Sequence, residues 1–249
     1  MPEHALLLIV GAAVAGFVQG LSGFAFGLVA MSFWAWSVEP RLAAALAVFG
    51  ALTGQVIAAV TVRRGFDGRR LAPFVAGGLA GVPLGLWLLP RLDVPLFKVL
   101  LGTLLVLWCP AMLAAARLPR VSAGGRVGDV LAGAAGGVMG GVGGFAGAVP
   151  TLWCLLRGFE RDAARAVVQN FNLAMLSVSF AGYLVQGFVT WAMLPLLALV
   201  GLAVLVPVLL GARVYIGLSE QAFRRIVLVL LTLSGVALLV SALPVLLSR

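Results

Sequence analysis

Long apolar runs separated by short charged clusters set the pattern of this chain. Residues 5–38, 42–62, 71–90, 99–116, 130–156, 166–212 and 226–248 contain no Asp, Glu, Lys or Arg. A helix needs about 20 residues to cross a bilayer. The run 166–212 is long enough for two crossings. Gln186-Gly187-Phe188-Val189-Thr190 breaks it, and Trp191 follows as an interface anchor. The pattern therefore predicts eight hydrophobic segments. The first is too long for one crossing, since its helix would span ~50 Å against a hydrocarbon core of about 30 Å. The fifth is also over-long. Both are dense in glycine, which weakens helix interiors, so each is predicted to be broken, or to form a re-entrant pair of half-helices.

The two over-long segments resemble each other. Gly16, Gly20, Gly23 and Gly27 have the spacing of Gly136, Gly140, Gly143 and Gly147. At the same offset Arg41-Leu42-Ala43-Ala44 matches Arg161-Asp162-Ala163-Ala164. Further on, Val82-Pro83 resembles Val206-Pro207, and Phe97-Lys98 resembles Phe223-Arg224. This order of agreement predicts a duplication: residues 1–116 as a first membrane repeat, 117–129 as a cytoplasmic linker and 130–249 as a second repeat.

Charge tests the topology. If all eight segments cross once, Lys and Arg divide almost evenly between the two faces. If segments one and five enter and leave on the same side, Arg41, Arg91, Lys98 and Arg249 fall on one face and the other 13 of the 17 cations on the opposite face. The second arrangement satisfies the positive-inside rule. It places the N-terminus in the periplasm and the loops 63–70, 117–129, 157–165 and 213–225 in the cytoplasm. Each half then has three crossings, so the halves are inverted. The expected fold class is an all-α integral membrane protein of two inverted repeats, each with one broken or re-entrant glycine-rich segment plus three transmembrane helices. Inverted repeats with broken helices at the midplane are a transporter plan.

Composition agrees on the solvent. The 249 residues are 63% hydrophobic and 10% charged, with a mean hydropathy of +1.16. A soluble domain carries about 25% charged residues. The net charge of +9 sits in the loops, without the basic patches and interleaved aromatics of a nucleic-acid binder. The abundance of Arg, Ala and Gly points to a bacterial gene and an inner-membrane location. The N-terminus lacks the positive stretch of a signal peptide. Cys109 and Cys154 lie in apolar runs, and the one histidine is His4. No metal-ligand spacing occurs, and no cofactor is expected.

Two kinds of residue carry candidate chemistry. The glycines permit close helix packing. A broken helix also frees backbone N–H groups and presents a positive dipole end to an anion. Polar groups within the segments form interhelical hydrogen bonds or line a wet cavity. Gln169, Asn170 and Asn172 stand out, because three amides in four residues are costly in lipid unless satisfied. Thr151 follows the second glycine motif, and Gln19 and Ser22 hold that place in the first. The expected substrate-binding set is Gln19, Gly20, Ser22, Gly23, Gly140, Gly143, Gly144, Thr151, Gln169, Asn170 and Asn172. Arg41, Arg157 and Arg161 flank the motifs as headgroup anchors or as an anion funnel. No ionisable group sits clearly at midplane, which leaves no proton relay and no acid–base cluster for an enzyme.

The paired glycine motif, with Pro150 just after its second copy, resembles that of the TauE/SafE sulfite exporter family, also called the toluene sulfonate uptake permeases. Gly187-Phe188-Val189-Thr190-Trp191, Gly211-Ala212-Arg213 and Leu218-Ser219 resemble that family's C-terminal half. The chain departs from the family's pattern at Gly23-Phe24-Ala25-Phe26-Gly27 and at Gln169-Asn170-Phe171-Asn172. The resemblance implies a transporter, usually an exporter, of sulfite, sulfonates or related sulfur-containing organic anions. The expected partners are a small anionic substrate and the lipid bilayer, with no nucleic acid; a homo-oligomer is compatible with the pattern. The competing readings are a non-transporting membrane scaffold, without a cavity between residues 19–27 and 139–151, and a membrane enzyme.

Overall fold

A computed structural model describes residues 2–61, 65–115, 120–121, 124–214 and 220–248, without side-chain detail at 2–4, 214 and 220–224. Leu218, Ser219, Arg249, the side chains of Phe223 and Arg224, and parts of the loops 63–70, 117–129 and 213–225 fall outside the described residues. The helices are α1 (Pro2–Ser22), α2 (Phe26–Trp34), α3 (Pro40–Thr61), α4 (Gly68–Leu88), α5 (Val94–Ala114), α6 (Gly125–Gly143), α7 (Ala148–Leu156), α8 (Arg161–Val185), α9 (Leu194–Val214) and α10 (Glu220–Leu247). Among them, six are long and apolar enough to cross a membrane: α1, α3, α4, α5, α9 and α10. α8, with 25 residues, has the length, ~37 Å, but carries two arginines and the three amides.

Both over-long segments break, and by the same device. Gly23 has φ +86° and Gly144 has φ +79°. These are left-handed conformations that a Cβ would penalise by roughly 1–2 kcal/mol. The Gly23 amide donates to Gln19 O at 2.7 Å, and that of Gly144 to Gly140 O at 3.0 Å. This 5→1 bond ends each helix in a left-handed cap, and the Gly144 amide also reaches Met139 O. A nine-residue helix then runs back, α2 in one case and α7 in the other.

Each short helix returns to the start of its partner. Trp34 Nε1 donates to Leu7 O at 3.3 Å. Trp153 Nε1 donates to Asp129 Oδ1 at 2.7 Å. A Cβ at Gly11 would collide with the Trp34 indole, and one at Gly128 with that of Trp153. Segments one and five are thus hairpins whose two ends lie together. The unequal halves follow from where the cap glycine falls: α1 is ~31 Å long and α2 only ~13 Å.

The two sets of five helices pack reciprocally. α1 lies against α9 and α4 against α6; α3 contacts α9 and α4 contacts α8; α5 pairs with α10. Glycine makes the first two seams possible. On α1, a Cβ at Gly20 would strike Val208 O of α9, and one at Gly211 would strike Phe17 O. On α6, Gly133 and Gly137 abut Phe74 and Gly78 of α4. α5 and α10 run antiparallel: Gly102 meets Gly235 and Leu239, while Leu105 meets Gly235. α6 begins at Gly125, inside the stretch read as a linker, and so carries Arg126 and Asp129 into the helix; from Val130 to Gly141 it packs on α4.

The charged ends separate. At one end Arg41 Nη2 donates to Pro90 O at 2.9 Å and its guanidinium lies 5.9 Å from the Phe188 ring centre; Lys98 lies 5.0 Å from that of Trp36. At the other end Arg70 lies 5.4 Å from the ring centre of Phe159, and Arg157 donates to Gly125 O at 2.8 Å. α8 stops at the predicted break. Gly187 N donates to Leu184 O and Phe188 N to Tyr183 O, with the Tyr183 and Phe188 rings 5.8 Å apart. Both bonds and the apolar contact are those of a Schellman cap.

Candidate functional site

The helix breaks meet in the interior. A Cβ on Gly27 would come within 2.6 Å of Gly144 O, and one on Gly147 within 2.7 Å of Phe24 Cβ. Neither α2 nor α7 has a side-chain N-cap. Their N-termini therefore bring two positive dipole ends to the middle of the bundle. Ser22 Oγ accepts from Ala25 N at 3.2 Å and Phe24 N at 3.4 Å, which steadies the first turn-back. Gln55 Nε2 donates to Gly23 O at 2.6 Å. Trp108 Nε1 donates to Ala148 O at 2.8 Å, tying α7 to α5, and its ring meets Phe24 edge-on at 5.7 Å.

Beside these breaks lies a cavity of about 170 Å³. A water needs roughly 10–15 Å³ of such space, so the cavity has room for a small solute. One wall is apolar: Leu21, Phe24, Trp108, Met112, Leu155 and Leu228. The polar groups are Ser22 at the first break, Thr151 in the first turn of α7, and Arg161, Arg165 and Gln169 of α8. The last three recur every four residues, so they share one helix face. Arg161 is exposed, Arg165 half-buried and Gln169 buried. The face thus forms a polar stripe running inward from the arginine-rich end. Arg165 Nη2 reaches Gly20 O at 3.4 Å.

The expected site residues divide. Ser22, Thr151 and Gln169 line the cavity, and Gly23 adjoins it, 3.0 Å from Gln169 Nε2 to a Cβ built there. Thr151 Oγ1 donates to Gly147 O at 2.6 Å. Asn172 is buried against Gly147, with its Nδ2 unpartnered. Gln19 donates to Ala51 O at 2.8 Å, and its Oε1 is unpartnered beside Gly54. Gly144 caps α6 at the second break. Gly20 is taken up by the α1–α9 seam. Gly140 packs on Ala146 near Ser179, and Gly143 lies under the Phe145 ring. Asn170 faces away from the cavity, donating to Gly65 O at 3.1 Å and Ala166 O at 2.8 Å.

Arg165, Trp108 and Phe24 were not among the expected site residues. For Arg165 a signal existed: stepping back from Gln169 by four residues, and by four again, reaches both arginines. For the aromatics no sequence signal existed, since Phe and Trp are ordinary in lipid-facing helices. Among the described residues no group of His, Cys, Asp and Glu is placed to hold a metal. Cys109 and Cys154 are free and buried.

Neither a curated protein nor a solved structure matches the chain. A family model described as sulfite exporter TauE/SafE matches residues 7–238. That range runs from the first turns of α1 to deep within α10, taking in both glycine motifs, both breaks and every residue of the cavity. The chain belongs to the TauE/SafE family of membrane sulfite and sulfonate exporters.

Proposed function

We propose that this chain carries a small organic anion, a sulfonate or a related sulfur-containing acid, outward across a bacterial inner membrane through the cavity beside the paired helix breaks. The observation that carries the reading is the inward stripe Arg161, Arg165 and Gln169, which ends against Ser22, Thr151 and the first break. An oxyanion descending it meets two guanidiniums, then neutral donors, then the N-terminal ends of α2 and α7. Arginine stays charged at any physiological pH, so the stripe is permanently attractive. The large apolar wall supports an anion with an organic tail over bare sulfite, because a hydrated inorganic ion has nothing to place there.

In this reading the arginine-rich end is cytoplasmic and the N-terminus periplasmic. Positive-inside asymmetry supports that sidedness. The antiparallel α5–α10 pair and the reciprocal seams support halves inverted across the bilayer. The cavity then opens to the cytoplasm, the loading side of an exporter. A cavity bordering both residues 19–27 and Thr151 counts against a non-transporting scaffold.

The test is uptake of labelled sulfite and of a short alkyl sulfonate into proteoliposomes at a set membrane potential. Gln169→Ala and Arg165→Gln are expected to abolish potential-driven sulfonate flux. Asn170→Ala, which leaves the cavity lining intact, is expected to retain it. A folded preparation that moves neither anion under either polarity overturns the reading, as does equal loss in all three variants.

A further inference from the structure

A second, polar pocket of about 540 Å³ opens at the arginine-rich end, and it shares no lining residue with the cavity beside the breaks. It lies between the starts of α4 and α6 and the turn joining α7 to α8. Arg69, Arg70, Arg126 and Arg157 line it, against the carboxylates Asp129 and Glu160.

The four arginines are not equivalent. Arg157 is held in place. It donates to Gly125 O at 2.8 Å, sits 3.8 Å from Asp129 Oδ1, and packs 5.9 Å from the Phe159 ring centre. Asp129 is itself buried and accepts the Trp153 N–H, so its charge is turned inward. Arg70 pairs with Asp67 at 3.2 Å and takes the other contact with Phe159. Two guanidiniums are thus pre-oriented around one ring. Arg69 and Arg126 are exposed and, among the described residues, neither has a carboxylate partner. The site is a positively charged bowl with part of its rim fixed and part uncommitted.

We propose that this pocket binds the phosphate headgroup of an anionic phospholipid. Its charge and its neighbours choose the occupant. Charge complementarity requires an anion. Apolar side chains beside the arginines require that the anion carry an apolar chain. Phe66 is 76% exposed, and Val127 and Leu131, one turn apart on α6, are 68% and 64% exposed. Val127 and Leu131 continue from Arg126 along α6 as a strip on which an acyl chain lies, and Phe66 stands just before the start of α4. A basic pocket between transmembrane helices at headgroup depth is the usual setting for such lipids. The pocket also joins the parts that must stay together at this end: α4, the start of α6 and the α7–α8 turn. A bound headgroup bridges them, so the lipid stabilises the α6–α7 hairpin from outside.

The test uses the full chain purified in a neutral detergent. Bound lipid is counted by native mass spectrometry, and the melting temperature is followed as phosphatidylglycerol or phosphatidylcholine is added. The wild type is expected to retain phosphatidylglycerol selectively and to melt higher with it. Arg69→Gln/Arg126→Gln is expected to weaken that retention by about tenfold or more, since each surface cation contributes roughly fivefold. Arg213→Gln, at the same end but outside the pocket, is expected to leave it unchanged. Should the double variant not purify folded, Arg126→Gln alone is expected to lose about fivefold. Equal weakening by Arg213→Gln overturns the proposal in favour of diffuse surface charge. So does indifference between the two lipids. Displacement of phosphatidylglycerol by equimolar glycerol phosphate overturns it in favour of a free-anion site. Binding is read without transport, so failure of the transport reading leaves this result standing.

Discussion

Replacing Gly23 by alanine separates the backbone role of the first break from its role beside the cavity. Gly23 holds φ +86°, so any L side chain there carries a left-handed penalty of roughly 1–2 kcal/mol. The new Cβ also meets Gln169, at 3.0 Å from Nε2 and 3.3 Å from Cγ. Relief to ordinary contact requires the Gln169 amide to move by about 0.5 Å, given carbon contacts near 3.5 Å. Gly187 provides the matched control. Its φ is +70° and an added Cβ meets nothing within 4 Å, so Gly187→Ala has the same backbone penalty and no new neighbour. Both variants are expected to melt lower by about 2–8 °C. Only Gly23→Ala is expected to lose sulfonate flux, by about tenfold, as misplaced site groups commonly do. Melting in detergent and flux in proteoliposomes are measured on the same preparations. If the two variants lose flux equally, the Gly23–Gln169 contact has no role in transport, and the break acts only as a structural cap.

Three further outcomes follow from the same geometry. Asp129→Ala removes the acceptor of the Trp153 indole and the carboxylate facing Arg157; it is expected to cost about 2–3 kcal/mol, read as a lower melting temperature. Tyr183→Phe deletes the 2.8 Å bond to Gly141 O at a fully buried site and is expected to cost about 1 kcal/mol without changing sulfonate flux. For sidedness, Glu39→Cys is expected to react with a membrane-impermeant maleimide from the periplasmic face and Asp67→Cys only from the cytoplasmic face. Native Cys109 and Cys154, both buried, are expected to stay silent; the reverse labelling pattern overturns the orientation.

Much of the architecture was legible because lipid imposes a simple grammar on sequence. A backbone in hydrocarbon has to satisfy its own hydrogen bonds, so apolar runs become helices, and an over-long glycine-rich run has to fold back. A break in each over-long segment follows from that rule, and the stop at Gln186 to Thr190 is marked by its own polar and glycine residues. The glycines were harder to assign. In a repeated GxxxG pattern every glycine looks alike, yet Gly20 closes a helix seam while Gly23 and Gly144 bend the chain. The difference lies in which neighbour each meets, and that neighbour belongs to the other half.

Sequence alone determined the hydrophobic segments, the presence of two breaks and the asymmetry of charge, because each is a property of one stretch of chain and its solvent. Only the tertiary structure decided which polar residues converge. On α8 successive residues are about 100° apart, so Gln169 and Asn172 point into the bundle while Asn170 turns to Gly65 O. The same rotation puts Arg165 in line with Gln169 along the cavity wall. The composition of α8 is identical whichever way the helix is turned. Its packing against α3 and α4 sets that angle, and with it the residues that face the cavity.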